Sequence, residues 1–517
     1  MSATAASEET ADPAPARPED DRLTLRAILT VLCATVSTGA YAFTWNSVTV
    51  AIPHMQGSFS ATTDQMAWVM IAFILGSSMV TACIGWLSAR IGRKQLFLLS
   101  VAGYTISLVG CGMASSLWGE VTWRFLQGVM GAPLVPLGQA IAVSAFPKSR
   151  HGQATSLWAL GFVSANVISP VVGGALIENL GWQWVYFATI PVGVAVIVAG
   201  WFLVPESERF PRRMDWIGFL SLIVGVGTLQ LMLARGERLD WFASGEIIVE
   251  ATITAVCLYV FIAHTITGKD TFIDARLFRD RNFALGQGMI FLIGSVLFLP
   301  LLLLPLLLQQ IGGYPAMETG MLMLPRGIGS ILGLLLMSQI RDRIDPRPLV
   351  LIGILGMAIP AWEMSGWTTQ VQPFDVAVTT FVQGLATSFI WAPLNTLVLS
   401  RLDPRVQDQG YALYYLNFDM GSSIGTAAVI GLHARMAQVN HAVISESVNP
   451  FNELFRYRAV ASVWDLGSAG SLASLQVEIG RQATMIAYNG SFMVVAGVMV
   501  ALIPFILLFR HKRAGRQ

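Results

Sequence analysis

Fourteen apolar stretches, each long enough to cross a bilayer, leave this 517-residue chain few ways to fold. A crossing helix needs about 20 apolar residues. Stretches meeting that rule run approximately over 27–51, 66–87, 95–114, 118–146, 152–178, 182–204, 215–234, 246–267, 282–310, 316–339, 347–367, 374–400, 409–432 and 484–509. With 54% apolar and only 12% charged side chains, the chain reads as a polytopic membrane protein. Hydrocarbon offers the backbone no partners, so the expected class is all-α. Lys and Arg then sort by side, because the clusters Arg90/Arg93/Lys94, Lys148/Arg150, Arg209/Arg212/Arg213, Lys269/Arg276/Arg279/Arg281, Arg341/Arg343/Arg347, Arg401/Arg405 and Arg510/Lys512/Arg513 all fall on one face. The opposite face has Arg235, Arg238 and a few in a long loop. The positive-inside rule makes the basic face cytoplasmic, with both termini on it, in a cell membrane.

The spans repeat. ARIGRK (Ala89–Lys94) follows span 2 and DRIDPR (Asp342–Arg347) follows span 10, while FPKSRHGQA and LDPRVQDQGYA follow spans 4 and 12. Spans 1–6 thus correspond to spans 9–14 in parallel orientation, as in duplicated transporters. The expected organisation is an acidic, disordered tail at 1–22, a six-helix bundle at 23–204 and two inserted helices at 205–270. A second six-helix bundle follows at 271–509, with a loop at 433–483 on the far face, and then a tail at 510–517.

Within this frame the stretch Trp123–Gly174 departs most from what lipid requires. Helical geometry puts Arg124, Gln127, Gly128, Gly131, Val135, Gly138 and Gln139 on one face, which must look inward. Gly161, Ala165, Ser169 and Gly173 recur every four residues and admit a close helix neighbour, and Pro170 interrupts the hydrogen-bond ladder beside them. A proton-coupled carrier needs a titratable group near mid-membrane. Arg326 and Asp419 lie about ten residues into their spans, roughly 15 Å deep. Glu120, Glu250, Glu363 and His264 sit nearer span ends, where snorkelling to water is open to them. Asn46, Gln127, Gln139, Gln383 and Asn395 are candidate cavity-lining groups, with interhelical hydrogen bonding as the alternative for each.

Other chemistries lack residues. The chain contains no P-loop, HExxH or nucleophile elbow, so an ATP-driven pump or a hydrolase has nothing to stand on, and no cofactor is expected. Cys33, Cys83, Cys111 and Cys257 fall inside spans without CxxC spacing and read as small buried apolar residues rather than metal ligands. A net charge of +1 gives no attraction to nucleic acid.

Several motifs in order carry a family resemblance: GWLSARIGRK (Gly85–Lys94), RFLQG (Arg124–Gly128), SPVVGG (Ser169–Gly174), GWQWVYFATIPVG (Gly181–Gly193), RGERLDWFASGEII (Arg235–Ile248), LPRGIGS (Leu324–Ser330) and ESVNPFN (Glu446–Asn452). Over nearly its whole length the chain resembles the major facilitator superfamily, in its fourteen-helix drug:proton antiporter branch and nearest to EmrB-type multidrug exporters. The resemblance implies export of small amphipathic molecules driven by proton entry, with a periplasmic adaptor and an outer-membrane channel as partners. It assigns Gly85, Arg90, Gly92, Arg93, Lys94, Ser169, Pro170, Gly173 and Gly174 to conformational motifs. It makes Arg124 an aid to proton coupling. By its fold, Arg326 and Asp419 lie near a central cavity, where an ion pair between them is expected. The chain departs from the family at Ala89, Thr44 and Phe418, where Asp, Asp and Arg are usual. The missing acid of span 1 moves the expected coupling site to Asp419. Two rival readings are an exporter of one metabolite or siderophore on the same fold, and a non-transporting membrane sensor or scaffold.

Overall fold

The structure, a computed structural model, describes residues 24–81, 83–147, 150–206, 209, 215–268, 275–340, 344–399, 402, 407–449, 452, 464 and 467–509. Both expected tails, and many basic-loop residues such as Lys148, Arg212 and Arg401, lie outside them. The first half contains α1 (Leu25–Phe59), α2 (Thr63–Thr81), α3 (Ile84–Ile91), α4 (Arg93–Gly112), α5 (Leu117–Gly131), α6 (Leu134–Ala145), α7 (His151–Leu180), α8 (Trp184–Phe187) and α9 (Ile190–Leu203). Then come α10 (Trp216–Arg235) and α11 (Gly245–Thr267). The second half has α12 (Arg281–Leu297), α13 (Leu299–Gln310), α14 (Ala316–Ile340), α15 (Pro346–Met364), α16 (Pro373–Leu399), α17 (Gln407–Glu446), α18 (Ala469–Ala501) and α19 (Ile503–Leu508).

Sequence-local chemistry explains where these helices start and break. Thr24, Ser116, Asp215 and Asp280 cap α1, α5, α10 and α12, each accepting from a backbone N–H three residues on. Span 4, expected as one helix, divides into α5 and α6 at Ala132–Pro133, because proline cannot donate to the ladder. Pro300 and Pro504 likewise sit just inside α13 and α19, after the breaks at Phe298 and Leu502. Gly92, at φ 98°, joins α3 to α4 in a single residue, a backbone conformation that a side chain would strain.

Among the described residues, twelve helical spans are long and apolar enough to cross a membrane, or thirteen when the bent pair α2–α3 counts as one. The expected span 13 lies in α17, whose 40 residues exceed the needed length. Its Asn417, Asp419, Ser422, Ser423 and His433 keep it outside the group that hydropathy alone selects. The expected loop 433–483 is a correction: α17 continues to Glu446 and α18 begins at Ala469, so both flanks are helical. From His433 to Glu446 there is neither Gly nor Pro to stop the helix.

Two large apolar cores result, beside a small cluster of Met337, Leu349 and Phe389. One gathers Val31, Phe97, Leu108, Ile141, Trp158 and Val185 from α1–α9, and the other Ile290, Leu304, Ile354, Ile390, Tyr414 and Phe492 from α12–α18. They interpenetrate at the seam, where Leu334 of α14 joins the first core and Cys83, with Trp86 and Leu87 of α3, joins the second. α10 and α11 pair with each other, and α10 lies against α2 and α17.

Candidate functional site between the two halves

The duplication is visible at atomic detail where α2 crosses α5 and α14 crosses α16. Gly128 of α5 faces the Phe73 carbonyl and Gly76 of α2 faces the Phe125 carbonyl. In the second half Gly384 of α16 faces the Arg326 carbonyl and Gly329 of α14 faces that of Phe381. RFLQG (Arg124–Gly128) is therefore matched by TFVQG (Thr380–Gly384), and Phe73 by Arg326. Each crossing carries one arginine, but on opposite helices of the pair. Each arginine finds a glutamine in the same place. Arg124 Nη1 donates to Gln127 Oε1 at 2.6 Å, and Arg326 Nη1 donates to Gln383 Oε1 at 2.9 Å.

Both guanidinium groups are buried, and the remaining contacts show how they are held there. Arg124 lies 4.5 Å above the Phe73 ring and its Nε reaches the Val69 carbonyl at 3.4 Å. The ring's negative face offsets part of the desolvation cost. Arg326 reaches the carbonyl of Leu297, which the α12–α13 break leaves open to it, at 3.4 Å. Among the described residues neither arginine makes an ion pair, and the expected Arg326–Asp419 pair is not made. Arg326 points from α14 towards α12 and α16, whereas Asp419 points to the seam.

Asp419 is partly exposed and, among the described residues, has no hydrogen-bond or ion-pair partner. Its carboxyl is within electrostatic reach of Tyr415 on its own helix and of Tyr41 on α1, which also senses Arg124. One turn before it, Tyr415 donates to Gln139 Oε1 of α6, a direct bond between the halves. Asn417 donates to Gln287 of α12 at 2.7 Å. Nearer the basic face, Gly85 of α3 packs against Gln409 of α17, where a Cβ would lie 3.4 Å from the Gln409 Cα. The halves are thus closed together towards the basic face.

The other expected residues fall into place with different roles. The stripe Gly161, Gly173 and Ser169 meets α1: Gly161 packs on Thr35, Gly173 on Ser47, and the Ser47 hydroxyl donates to the Ser169 carbonyl at 3.0 Å. Pro170 is exposed, and Gly174 has nothing within 4 Å of a built Cβ, so these two face away from α1. Asn46 donates to Asn166 Oδ1 of α7 at 2.7 Å. Asn395 is buried with its Nδ2 unpartnered. Arg90 lies 5.1 Å above the Trp86 ring on the same short helix. Arg93 and Lys94 open α4 after the Gly92 turn.

Depth alone misjudged two acids. Glu120 does not snorkel: it is fully buried, and its Oε1 accepts from the Tyr186 hydroxyl at 2.6 Å. Tyr186 lies 66 residues away on α8, and no local pattern announces the contact. Glu250 is buried too, bonded to Arg235 at 3.2 Å, and that arginine also holds Glu246 at 2.6 Å and lies 5.2 Å above Trp68 of α2. Arg235, Glu246 and Glu250 are separated in sequence, and their closure into one ion-pair cluster depends on the α10–α11 turn.

Comparison with known proteins places this architecture. The family model for the Major Facilitator Superfamily matches residues 34–426. The chain is 31% identical over 499 residues to the multidrug export protein EmrB of Haemophilus influenzae, covering 95% of this chain and 97% of that one. It is 31% identical to EmrB of Escherichia coli K12, covering 88% and 90%, and 32% identical to the fatty acid resistance protein FarB of Neisseria gonorrhoeae, covering 90% and 93%. Among solved structures, the human organic anion transporter MFSD10 superposes with a TM-score of 0.58 at 13% identity, covering 92% of this chain and 99% of that one. The proton:xylose symporter XylE superposes at 0.59 and 14%, covering 93% and 97%. With two pseudo-equivalent halves, each crossed by a glycine-paired helix couple, and this breadth of similarity, the chain belongs to the major facilitator superfamily.

Proposed function

We propose that this protein is a proton-coupled multidrug exporter of the cell membrane that moves amphipathic small molecules by alternating access. The observation that carries the reading is Asp419, a partly exposed carboxyl at the seam of two halves with no bonding partner among the described residues. Similarity to the multidrug export proteins EmrB supports the direction and the cargo class. A bistable seam is what alternating access requires, because protonation acts only by favouring one arrangement over the other. In this reading the basic face is cytoplasmic, both termini lie there, and the described conformation is closed to the cytoplasm. Asp419 binds the proton that enters as substrate leaves, and Arg124 adjusts the field it experiences through Tyr41. Asn46, Gln139 and Asn395 border the path between the halves, and Gln383 acts from behind it by holding Arg326. The first half, the inserted α10–α11 pair and the second half act as the moving units.

The test is Asp419→Asn, which keeps volume and hydrogen bonding but removes the titration. In everted vesicles with an imposed pH gradient the variant should lose uphill accumulation of amphipathic dyes while remaining in the membrane at wild-type level. Undiminished accumulation by the variant would sink the assignment. The reading includes a periplasmic adaptor docked on the ends of α17 and α18, with an outer-membrane channel beyond it. Val439, Val443, Leu472 and Val477 are exposed there. Deleting 450–475 should abolish resistance in cells and leave vesicle transport intact; loss of both would point to folding instead.

A further inference from the structure

The mechanism above leaves a buried acid outside any ion pair without a task. Glu120 sits one turn into α5, roughly 5 Å from the helix start, on the face opposite the basic loops. Its side chain is fully buried, one oxygen is held by Tyr186, and among the described residues Oε2 makes no hydrogen bond of ordinary geometry. The groups facing it are Tyr186 from α8, the Cys111 thiol from α4 and, one turn deeper on its own helix, Arg124. α2, which also packs on α5, presents Trp68, Val69 and Phe73 to this region, none of them titratable. A carboxylate with one bonded oxygen and no ion pair is an expensive thing to bury, so the site has a reason to hold a proton. Nothing in the packing explains why an acid rather than an amide stands there.

We propose that Glu120 is a proton-binding group of the transport cycle, the one through which protons enter from the face opposite the basic loops. This rests on the proton-coupled reading above. A hydronium ion at that face gives its proton to Glu120 Oε2, leaving water, and the carboxylate passes from −1 to neutral while Tyr186 keeps its hydrogen bond to Oε1. Glu120 then yields the proton inward to the Asp419 carboxylate and returns to −1. Between the two acids the Tyr41 hydroxyl, 3.4 Å from that of Ser77, lies within electrostatic reach of Arg124 and Asp419. Asp419, made neutral, releases the proton to water at the basic face. Arg124 stays charged throughout and faces the Glu120 carboxylate when that is ionised.

The experiment uses full-length protein in proteoliposomes, with infrared difference spectra across a pH jump and uphill accumulation of ethidium and of a long-chain fatty acid as two probes. Wild type should show the C=O band of a protonated buried carboxyl. Glu120→Gln should lose one such band and lose accumulation of whichever probe the wild type moves, while the Asp419 band persists. A full set of bands with undiminished accumulation in Glu120→Gln would overturn the proposal. Tyr186→Phe removes only the hydroxyl and serves if Glu120→Gln does not fold: the Glu120 band should shift in it, and an unshifted spectrum would equally overturn the assignment. Failure of wild type to accumulate either probe with a pH gradient, but with the Glu120 band present, would count against the coupled-export reading and not against the proton site.

Discussion

Alanine at Gly384 is the sharpest test of the paired crossings. A Cβ built there falls 2.8 Å from the carbonyl carbon of Arg326 and 3.0 Å from its Cα, and closer still to its oxygen. Comfortable carbon contacts begin near 3.5 Å, so α14 and α16 must part by about 1 Å, because backbone cannot swing aside as a side chain does. Overpacking of this kind costs about 1–3 kcal/mol, and the lost Arg326–Gln383 geometry adds to it, for an expected total of about 3 kcal/mol. The matched control is Gly174→Ala, where nothing lies within 4 Å and the helix gains roughly 0.5–1 kcal/mol from replacing glycine. Thermal unfolding of the detergent-solubilised protein, followed by the loss of the monodisperse peak in fluorescence-detected gel filtration, should separate the two by many degrees in opposite directions. If Gly384→Ala melts with the control or above wild type, the crossing is not as close as described and the equivalence with Gly128 fails with it.

Other expectations follow from single contacts. Tyr415→Phe removes the bond to Gln139 across the seam, worth about 1 kcal/mol; cross-linking between cysteines placed at positions 85 and 409 should fall several-fold as the closed state loses population. Arg326→Leu should be more damaging to thermal stability than the double change Arg326→Leu with Gln383→Leu, because the single change leaves a buried amide oxygen unpaired. Arg235→Ala should cost about 2 kcal/mol, since Glu250 is left buried without its partner; restoring stability by adding Glu250→Gln would confirm the cause. Gly92→Ala should lower expression or stability through its φ of 98°, and unchanged melting would argue that the α3–α4 turn relaxes freely.

How much of this was legible beforehand depended on whether the signal was local. Span lengths, the one-sided arginines and the paired loop motifs report on neighbours in sequence, and they led to the helical halves and to the inward face of Arg124, Gln127 and Gln139. The crossings were half legible: RFLQG and TFVQG can be aligned by eye, but that Arg326 takes the place of Phe73 requires seeing which carbonyl each glycine meets. Arg326 and Asp419 share a depth, yet depth along a helix says nothing about azimuth, and their side chains diverge. Position along α5 alone suggests a snorkelling end residue at Glu120, because its partner Tyr186 belongs to another helix. The helical flanks of the loop at 433–483 were missed because a span rule reads hydropathy, and helices that leave the membrane become polar without ending.

The inserted pair has a consequence for the surrounding lipid. Two long junctions separate the halves, one between α2 and α17 and one between α7 and α14, and α10 covers only the first. At the second, Ile168, Val171, Ile328, Leu332 and Leu335 are exposed apolar side chains. The molecule is therefore one-sided in its own plane. An amphipath dissolved in the bilayer meets an uncovered junction on one flank and a sheathed one on the other, so any lateral approach to the interior runs through the α7–α14 side.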